Sequence, residues 1–316
     1  MTNPTEPSAR RVAAIDCGTN SIRLLIADPD DRGGLVDVER RTEIVRLGQG
    51  VDASGEFHPD ALARTFVAVK TYADLIERAG VPADRIHFVA TSASRDAKNR
   101  DAFFDGVRER LGVVPDVISG DREAQLSFTG ALSRVRPEVG PALVMDIGGG
   151  STEFITGTAT GEMTSAISLD IGSVRVTERF LASSPPTADE LADAESYVDR
   201  LLDRSDVPFA GIGTWIGVAG TATTLAGVYL QLAQYDRKQV HGSTIPRAGL
   251  ADLLERLSRL TVAEIRALPS MHPGRADVIT GGTLIAARVA ARTPVPEMII
   301  SESDILDGIA LELLSR

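Results

Sequence analysis

Two similar segments, one in each half of the sequence, constrain the fold of this chain more than any other feature. Asp16 and Asp146 each end a short apolar run and lead into a turn of small residues. A second pair agrees, since Ala90 and Ala219 each precede a turn containing Thr and are separated by nearly the same stretch of sequence. Two matches at nearly one offset are typical of an internal duplication. We therefore predict two related halves whose four turns surround one cleft.

Hydrophobic periodicity places these turns in an α/β fold. Apolar runs predict strands near residues 12–15, 22–27, 86–90, 114–118, 142–145, 153–156, 214–219 and 298–301. Apolar residues at helical spacing predict helices near residues 62–76, 103–111, 124–132, 190–201, 250–260, 262–268, 276–291 and 306–314, with another beginning near 221. At about 150 residues per domain, the length of 316 residues suits two domains.

Composition excludes several classes of function. The net charge of −11 opposes general nucleic-acid binding and docking onto an anionic membrane. A lone cysteine, Cys17, cannot form an internal disulfide, and Met1–Ala9 has no export-signal pattern, so we expect a cytoplasmic protein. Val207–Tyr235 carries no formal charge, but its glycines and threonines favour a strand, a turn and a helix over a membrane span.

The glycine- and hydroxyl-rich turns are typical of phosphate binding, because glycine lets backbone amides approach an anion closely. A tight turn with solvated acids is the alternative interpretation. Residues predicted to bind phosphate are Gly18, Thr19, Asn20 and Ser21 in the first half, and Gly148, Gly149, Gly150, Ser151 and Thr152 in the second. Asp16, Asp146 and Glu153 stand beside these turns, and carboxylates tolerate phosphate when Mg²⁺ lies between them.

Other phosphate and hydrolase motifs are absent from the sequence. None of the three lysines follows a glycine, as the phosphate loop of nucleotide hydrolases requires, and Gly148–Gly150 leads into a predicted strand instead of a dinucleotide-binding helix. There is no paired-histidine metal motif and no Gly-x-Ser-x-Gly motif. The nucleophile predicted by elimination is water.

Arg95 and Glu123 can each be interpreted in two ways. Arg95, in the polar turn after the predicted strand 86–90, can bind phosphate through both guanidinium arms or form a helix-start salt bridge. Glu123 can complement the helix dipole at the start of a helix or accept a proton from attacking water. Residue type and position alone do not decide between the two interpretations for either residue.

Together these residues resemble the exopolyphosphatase and guanosine pentaphosphate phosphohydrolase family, within the sugar kinase, Hsp70 and actin superfamily. The matching segments occur in family order along nearly the whole chain. They are 16–23, Thr91–Ser92–Ala93 with Arg95 and Asn99, Ser119–Gly120 with Glu123–Ala124, 146–153, Gly172 with Val174–Arg175, 220–223 and 275–277.

The resemblance implies two duplicated ribonuclease-H-like lobes around a central cleft. The implied lobes are residues 1–128, completed by the helix 303–316, and residues 129–302. The resemblance also implies that Glu123 activates water, that Asp146 and Glu153, with Asp16, position Mg²⁺ or Mn²⁺, and that Arg95, Asn20, Gly148 and Ser151 hold phosphate oxygens. By the same resemblance, Ser92, Gly220 and Thr221 join the phosphate-binding set.

The implied activity is removal of terminal orthophosphate from inorganic polyphosphate by a homodimer. Guanosine pentaphosphate hydrolysis, a catalytically silent sensor, and a sugar kinase or ATPase are the alternatives. Because the net charge opposes a polyanion, we expect a local positive track that includes Arg23, Arg95, Arg100, Arg175 and Arg179. We expect two departures from the family: a short, two-lobe form without the HD-type domain, and the tail Ser301–Gly308, where Asp304 and Leu306 replace the usual glycine and arginine.

Overall fold

The computed structural model describes residues 10–31, 33–137, 139–158 and 162–316. Met1–Ala9, discussed above for export, lies outside these ranges. The strands are β1 Val12–Cys17, β2 Ser21–Pro29, β3 Leu35–Ile44, β4 Ile86–Ala90, β5 Asp116–Val117, β6 Ala142–Ile147, β7 Thr152–Gly157, β8 Met163–Leu169, β9 Thr214–Val218, β10 Thr244–Pro246 and β11 Glu297–Ile300.

Helices connect these strands in both halves of the chain. They are α1 Val51–Ser54, α2 Pro59–Arg78, α3 Ser92–Asp96, α4 Arg100–Leu111, α5 Gly120–Leu132, α6 Ser173–Phe180, α7 Ala188–Asp203, α8 Ala219–Tyr229, α9 Arg237–Val240, α10 Arg247–Ser258, α11 Val262–Arg266, α12 Ile279–Ala290 and α13 Ile305–Ser315. Among the described residues, no helix combines the length and apolar character needed to cross a bilayer. Val207–Tyr235 contains β9 and α8 instead.

Two sheets confirm the predicted duplication. The first has the order β3-β2-β1-β4-β5, with β1, β2 and β3 antiparallel and β4 and β5 parallel to β1. The second has the order β8-β7-β6-β9-β11, extended by β10, with the same antiparallel and parallel relations. The same strand order therefore occurs twice, as expected for two duplicated lobes.

The chain divides into two compact units. Unit 1 contains the residues up to Ser119 together with Leu306–Arg316, and unit 2 contains Gly120–Ile305. The sequence placed the first boundary after residue 128, but α5 packs on the second sheet. Ala124 and Phe128 of this helix belong to one buried cluster with Val144 of β6 and Ile155 of β7, so the chain joins unit 2 before α5 begins.

Each unit has its own core. In unit 1 the rings of Phe88 and Phe103 pack edge to face at 6.0 Å, while in unit 2 Trp215 is fully buried in the cluster around β6 and β9. The C-terminal helix α13 is fixed to the first sheet by an ion pair, since Arg40 of β3 lies 3.0 Å from the fully buried carboxylate of Asp307. This ion pair is one of the contacts that hold the last residues in unit 1.

Candidate functional site

Each unit contains a turn between its first two strands, which we call the first glycine turn (Gly18–Ser21) and the second glycine turn (Gly148–Ser151). Both turns are closed by the same hydrogen bond. The amide of Gly18 donates to the carbonyl of Ser21, and the amide of Gly148 donates to that of Ser151, each at 3.0 Å. The duplication predicted from sequence therefore extends to the local geometry of the turns.

The carbonyls of the second glycine turn are held by the start of α6. Backbone amides there donate to two of them, and the Arg175 side chain donates to the third through Nε at 2.7 Å. The backbone bonds run from Ser173 to Gly148 at 2.9 Å, and from Val174 and Arg175 to Gly149 at 2.9 and 3.0 Å. Because a trans peptide directs its N–H opposite to its C=O, the amides of residues 149–151 face away from α6. An anion is the natural partner of such an array of amides.

Gly172 makes this close approach between α6 and the turn possible. A Cβ atom on Gly172 would lie 2.3 Å from the carbonyl oxygen of Gly149 and 2.6 Å from the carbonyl carbon of Gly150. Both neighbours are backbone atoms, so a side chain at position 172 would displace the second glycine turn.

The first glycine turn is held in the same way by the segment after β3. The amides of Val45 and Arg46 donate to the carbonyl of Asn20 at 3.1 and 2.9 Å, and the amide of Gly48 donates to Thr19 at 2.9 Å. The two units therefore fix equivalent turns by backbone amides that follow their third strands.

The structure brings several predicted phosphate-binding residues of unit 1 together. The hydroxyls of Thr19 and Ser92 are 3.0 Å apart. Among the described atoms, Oδ1 of Asn20 is buried without a hydrogen-bond partner. Arg95 donates from Nη1 to the carbonyl of Ile118 at 2.9 Å, which ties α3 to the end of β5.

Three carboxylates lie together in unit 2, and we call Glu123, Asp146 and Glu153 the carboxylate group. Asp146 and Glu153 are direct cross-strand neighbours on β6 and β7. Glu123 lies in the first turn of α5, and all three residues are buried, with Glu153 fully inaccessible to solvent. The resemblance assigned these residues to water activation and metal binding, whereas the third metal ligand that it assigned, Asp16, lies in unit 1.

Two serines fix the orientation of this group. Ser127, one helical turn after Glu123 on α5, donates to Oδ2 of Asp146 at 3.0 Å, and Ser168 on β8 donates to Oε1 of Glu153 at 2.8 Å. Neither serine was predicted from the sequence. The helical spacing between Glu123 and Ser127 was the available signal, because it places the two on one helix face. Ser168 has no comparable local signal.

The surroundings of Glu153 disfavour its charged form. Burial raises the pKa of its carboxyl well above the usual value, and the neighbouring charges of Glu123 and Asp146 raise it further. Hydrogen bonds from Ser151 and Ser168 oppose this rise. Without a cation, the folded protein therefore favours a proton on Glu153.

This raised pKa predicts a pH-dependent stability. Between the ordinary carboxyl pKa of 4.5 and the raised one, the folded state binds more protons than the unfolded state, so stability falls as pH rises through that interval. Without divalent cations, we expect the thermal midpoint of the wild type to fall more steeply above pH 4.5 than that of Glu153→Gln. Scanning calorimetry with a chelator measures both slopes, and equal slopes would contradict the prediction.

The carboxylate group also suits a divalent cation. Oε2 of Glu153 is buried without a hydrogen-bond partner among the described atoms, and the charged groups that act on its pKa are carboxylates. Across the described ranges, no group of three or more Asp, Glu, His or Cys side chains is arranged so that it could hold a metal ion. Mg²⁺ needs no such cage, because it is typically held by one or two carboxylates, waters and substrate phosphate. The two carboxylates of Asp146 and Glu153 match this coordination preference.

Three other residues predicted to bind phosphate, Thr152, Gly220 and Thr221, form hydrogen bonds within unit 2. The buried Thr152 donates its hydroxyl to the carbonyl of Ile171, and Thr221 donates to the carbonyl of Ile147 at 2.9 Å, where β6 enters the second glycine turn. The carbonyl of Gly220 accepts from Nη1 of Arg275 at 2.7 Å. The hydroxyls of Thr152 and Thr221 thus donate to backbone carbonyls next to the second glycine turn.

Comparison with known proteins identifies the family of this chain. The profile of the Ppx/GppA phosphatase family matches residues 25–316. The chain belongs to the Ppx/GppA phosphatase family. Exopolyphosphatase 2 of Mycobacterium tuberculosis is 47% identical over 317 residues, which span 96% of this chain and 98% of that protein.

Solved structures of Ppx/GppA relatives share the fold. A crystal structure described as an exopolyphosphatase-like protein is 41% identical, has a TM-score of 0.91, and covers 96% of this chain and 97% of its own. The Aquifex aeolicus family member is 31% identical, with a TM-score of 0.80 and 96% of each chain covered. The family resemblance found from sequence motifs is thereby confirmed.

Proposed function

We propose that this Ppx/GppA family member is an exopolyphosphatase that removes terminal orthophosphate from inorganic polyphosphate. The observation that carries the proposal is the buried carboxylate group beside a glycine turn whose amides face away from α6. This pairs a phosphate-binding surface with a proton acceptor and cation ligands. The name of the Mycobacterium tuberculosis relative supports the choice of substrate.

In the proposed reaction, the amides of the second glycine turn bind oxygens of the terminal phosphoryl group. Because α6 and Arg175 hold the turn's carbonyls, these amides need no rearrangement when the substrate binds, which favours transition-state stabilisation. The terminal phosphoryl group would be placed with its leaving oxygen in line with the attacking water.

Glu123 is the proposed proton acceptor. The oxygen of water forms a bond to the terminal phosphorus, the bond from that phosphorus to the bridging oxygen breaks, and the water proton passes to the Glu123 carboxylate. The buried position of Glu123 limits competition from bulk solvent for this proton.

Asp146 and Glu153 are the proposed ligands of Mg²⁺, with Mn²⁺ as a substitute. The ion would supply charge neutralisation for the phosphate oxygens and relieve the repulsion within the carboxylate group. Ser127 and Ser168 would keep one oxygen of each carboxylate occupied, so that the other remains directed to the cation.

The test is orthophosphate release by the purified protein from short and long polyphosphate, guanosine pentaphosphate and ATP, each with and without Mg²⁺. We expect release from polyphosphate that stops when a chelator is added and returns with Mg²⁺. Release from guanosine pentaphosphate alone would replace the proposal with the second activity in the family's name. We also propose that the protein forms a homodimer, as the family resemblance implies, and sedimentation of the same preparation tests this.

A further inference from the structure

Two consecutive glycines near the start of α12, Gly281 and Gly282, contact the first turns of α6 and α8. A Cβ atom on Gly281 would lie 2.9 Å from the carbonyl oxygen of Ser173 and 2.6 Å from Oγ1 of Thr177, both on α6. A Cβ atom on Gly282 would lie 2.5 Å from Cγ2 of Thr221 on α8. Real Cβ atoms essentially never come within 3.0 Å of such neighbours. Glycine at both positions therefore lets the three helices pack this closely.

The side chains next to Gly282 belong to residues that hold the entrance of the second glycine turn. Thr221 donates its hydroxyl to the carbonyl of Ile147 at 2.9 Å. Ser173, whose Cβ would lie 3.4 Å from a Cβ on Gly282, donates to the carbonyl of Gly148 from its amide at 2.9 Å and from its hydroxyl at 3.2 Å. Gly282 therefore lies behind the donors to two successive carbonyls of the turn.

Thr221 is buried and cannot move aside without losing its hydrogen bond. Its side chain is branched at Cβ, so one torsion turns Oγ1 and Cγ2 together. A methyl group added at position 282 could be relieved by rotating Thr221, which would take Oγ1 away from the Ile147 carbonyl. It could otherwise be relieved by separating α8 from α12, which would move the hydroxyl as well. Either response removes one support of the second glycine turn.

We propose that Gly282 and Thr221 are positioning residues that set the place of the second glycine turn through the Ile147 carbonyl. A threonine hydroxyl has one proton to donate, and that of Thr221 is directed to this carbonyl. Thr221 then supports the turn and does not bind phosphate, unlike the role implied by the family resemblance. The expected effect on catalysis rests on the proposed function, whereas the effect on the turn can be measured without substrate.

The first test is nuclear magnetic resonance of the full-length protein labelled with ¹⁵N-glycine, without substrate. In Gly282→Ala we expect shifted amide signals from the three glycines of the second glycine turn, while the signal of Gly18 in unit 1 keeps its position. Thr221→Ser removes Cγ2 and keeps the hydroxyl. In the protein that combines both substitutions, the shifted signals should therefore return towards their wild-type positions. Unchanged signals in Gly282→Ala, or no return in the combined variant, would overturn the proposal.

The second test measures orthophosphate release from polyphosphate. We expect Gly282→Ala to lower kcat by about tenfold to 100-fold with a smaller change in KM, because a displaced turn misplaces the reacting phosphoryl group while the rest of the substrate still binds. On the Thr221→Ser background the same substitution should have a several-fold smaller effect, since the two positions are in contact. An equal loss on both backgrounds would refute the contact through Cγ2.

Thr221→Val provides a test that adds no atom at position 282. Valine has nearly the shape of threonine but no hydroxyl, so the Ile147 carbonyl loses this donor. We expect the same glycine signals to shift as in Gly282→Ala, and wild-type signals would overturn the proposal even if Gly282→Ala does not fold. If the wild type releases no orthophosphate from polyphosphate, the proposed function fails, and the spectra still decide whether Gly282 and Thr221 position the turn.

Discussion

Replacing Glu123 with Gln is expected to slow orthophosphate release from polyphosphate by about 10²- to 10⁴-fold, the range for loss of a positioned general base. Gln keeps the size of the side chain but cannot accept the proton of the attacking water. It also removes one of the two charges that raise the pKa of Glu153. Steady-state release of orthophosphate from polyphosphate of defined length, at saturating Mg²⁺, measures the effect.

A matched control lies in the same helical turn. Asp121 is exposed in the first turn of α5, whereas Glu123 is buried. Asp121→Asn removes the same charge from the helix N-terminus, so both variants should lose a similar, small helix-dipole contribution to stability. If Asp121→Asn slowed the reaction as much as Glu123→Gln, or if Glu123→Gln kept most of its activity, Glu123 would be a helix-start residue and not the base.

Replacing Gly172 with Ala is expected to reduce kcat/KM for polyphosphate by about 100-fold, the scale for displacing a reacting group by about 1 Å. The added Cβ would meet the Gly149 carbonyl oxygen at 2.3 Å, so the second glycine turn must move. Overpacking of this kind also costs about 1–3 kcal/mol of stability. Enzyme kinetics and thermal unfolding of the same preparation separate the two effects.

Gly211→Ala provides the comparison for this variant. Gly211 is also in unit 2, but a Cβ there would meet nothing within 4 Å. We expect wild-type kinetics and a nearly unchanged thermal midpoint. Wild-type kinetics in Gly172→Ala would mean that the second glycine turn tolerates displacement, which would contradict its proposed role in holding the terminal phosphate.

Much of the fold was predictable because its buried strands are apolar and its turns contain glycine. The edge strands β3 and β8 were not predicted from the sequence. Half of the residues of β3 are charged, and β8 mixes apolar residues with threonine and serine without strict alternation. Each pairs with a neighbour on one side only, so the pairing in the sheet determines their structure more than their own periodicity does.

Helix ends were less predictable than helices. The polar turn expected at residues 91–96 contains the helix α3, and α5 starts at Gly120, one helical turn before the expected position. The strand expected at 114–118 is reduced to Asp116–Val117. Apolar periodicity does not detect short polar helices such as α3, which carries Arg95, or polar first turns such as that of α5, which carries Glu123.

At the site, the glycine turns were predicted from the sequence, but the backbone hydrogen bonds that fix their carbonyls were not. The amides of Val45 and Val174 reach the glycine turns from distant segments, and such backbone contacts leave no pattern in side-chain identity. The difference between Arg23 and Glu153 was visible at the offset of the duplication. Only the strand register shows that each of these two residues lies opposite an aspartate on the neighbouring strand.

The division of unit 1 between the two ends of the chain has a consequence for biosynthesis. On the ribosome, the segment up to Ser119 emerges well before Leu306–Arg316, which belongs to the same unit. At about 5–20 residues per second, translation of the intervening 120–305 segment takes roughly 10 to 40 seconds. Unit 2 is complete first. Until Asp307 is made, Arg40 lacks this buried partner, so the ion pair between β3 and α13 can form only after unit 2 has been synthesised.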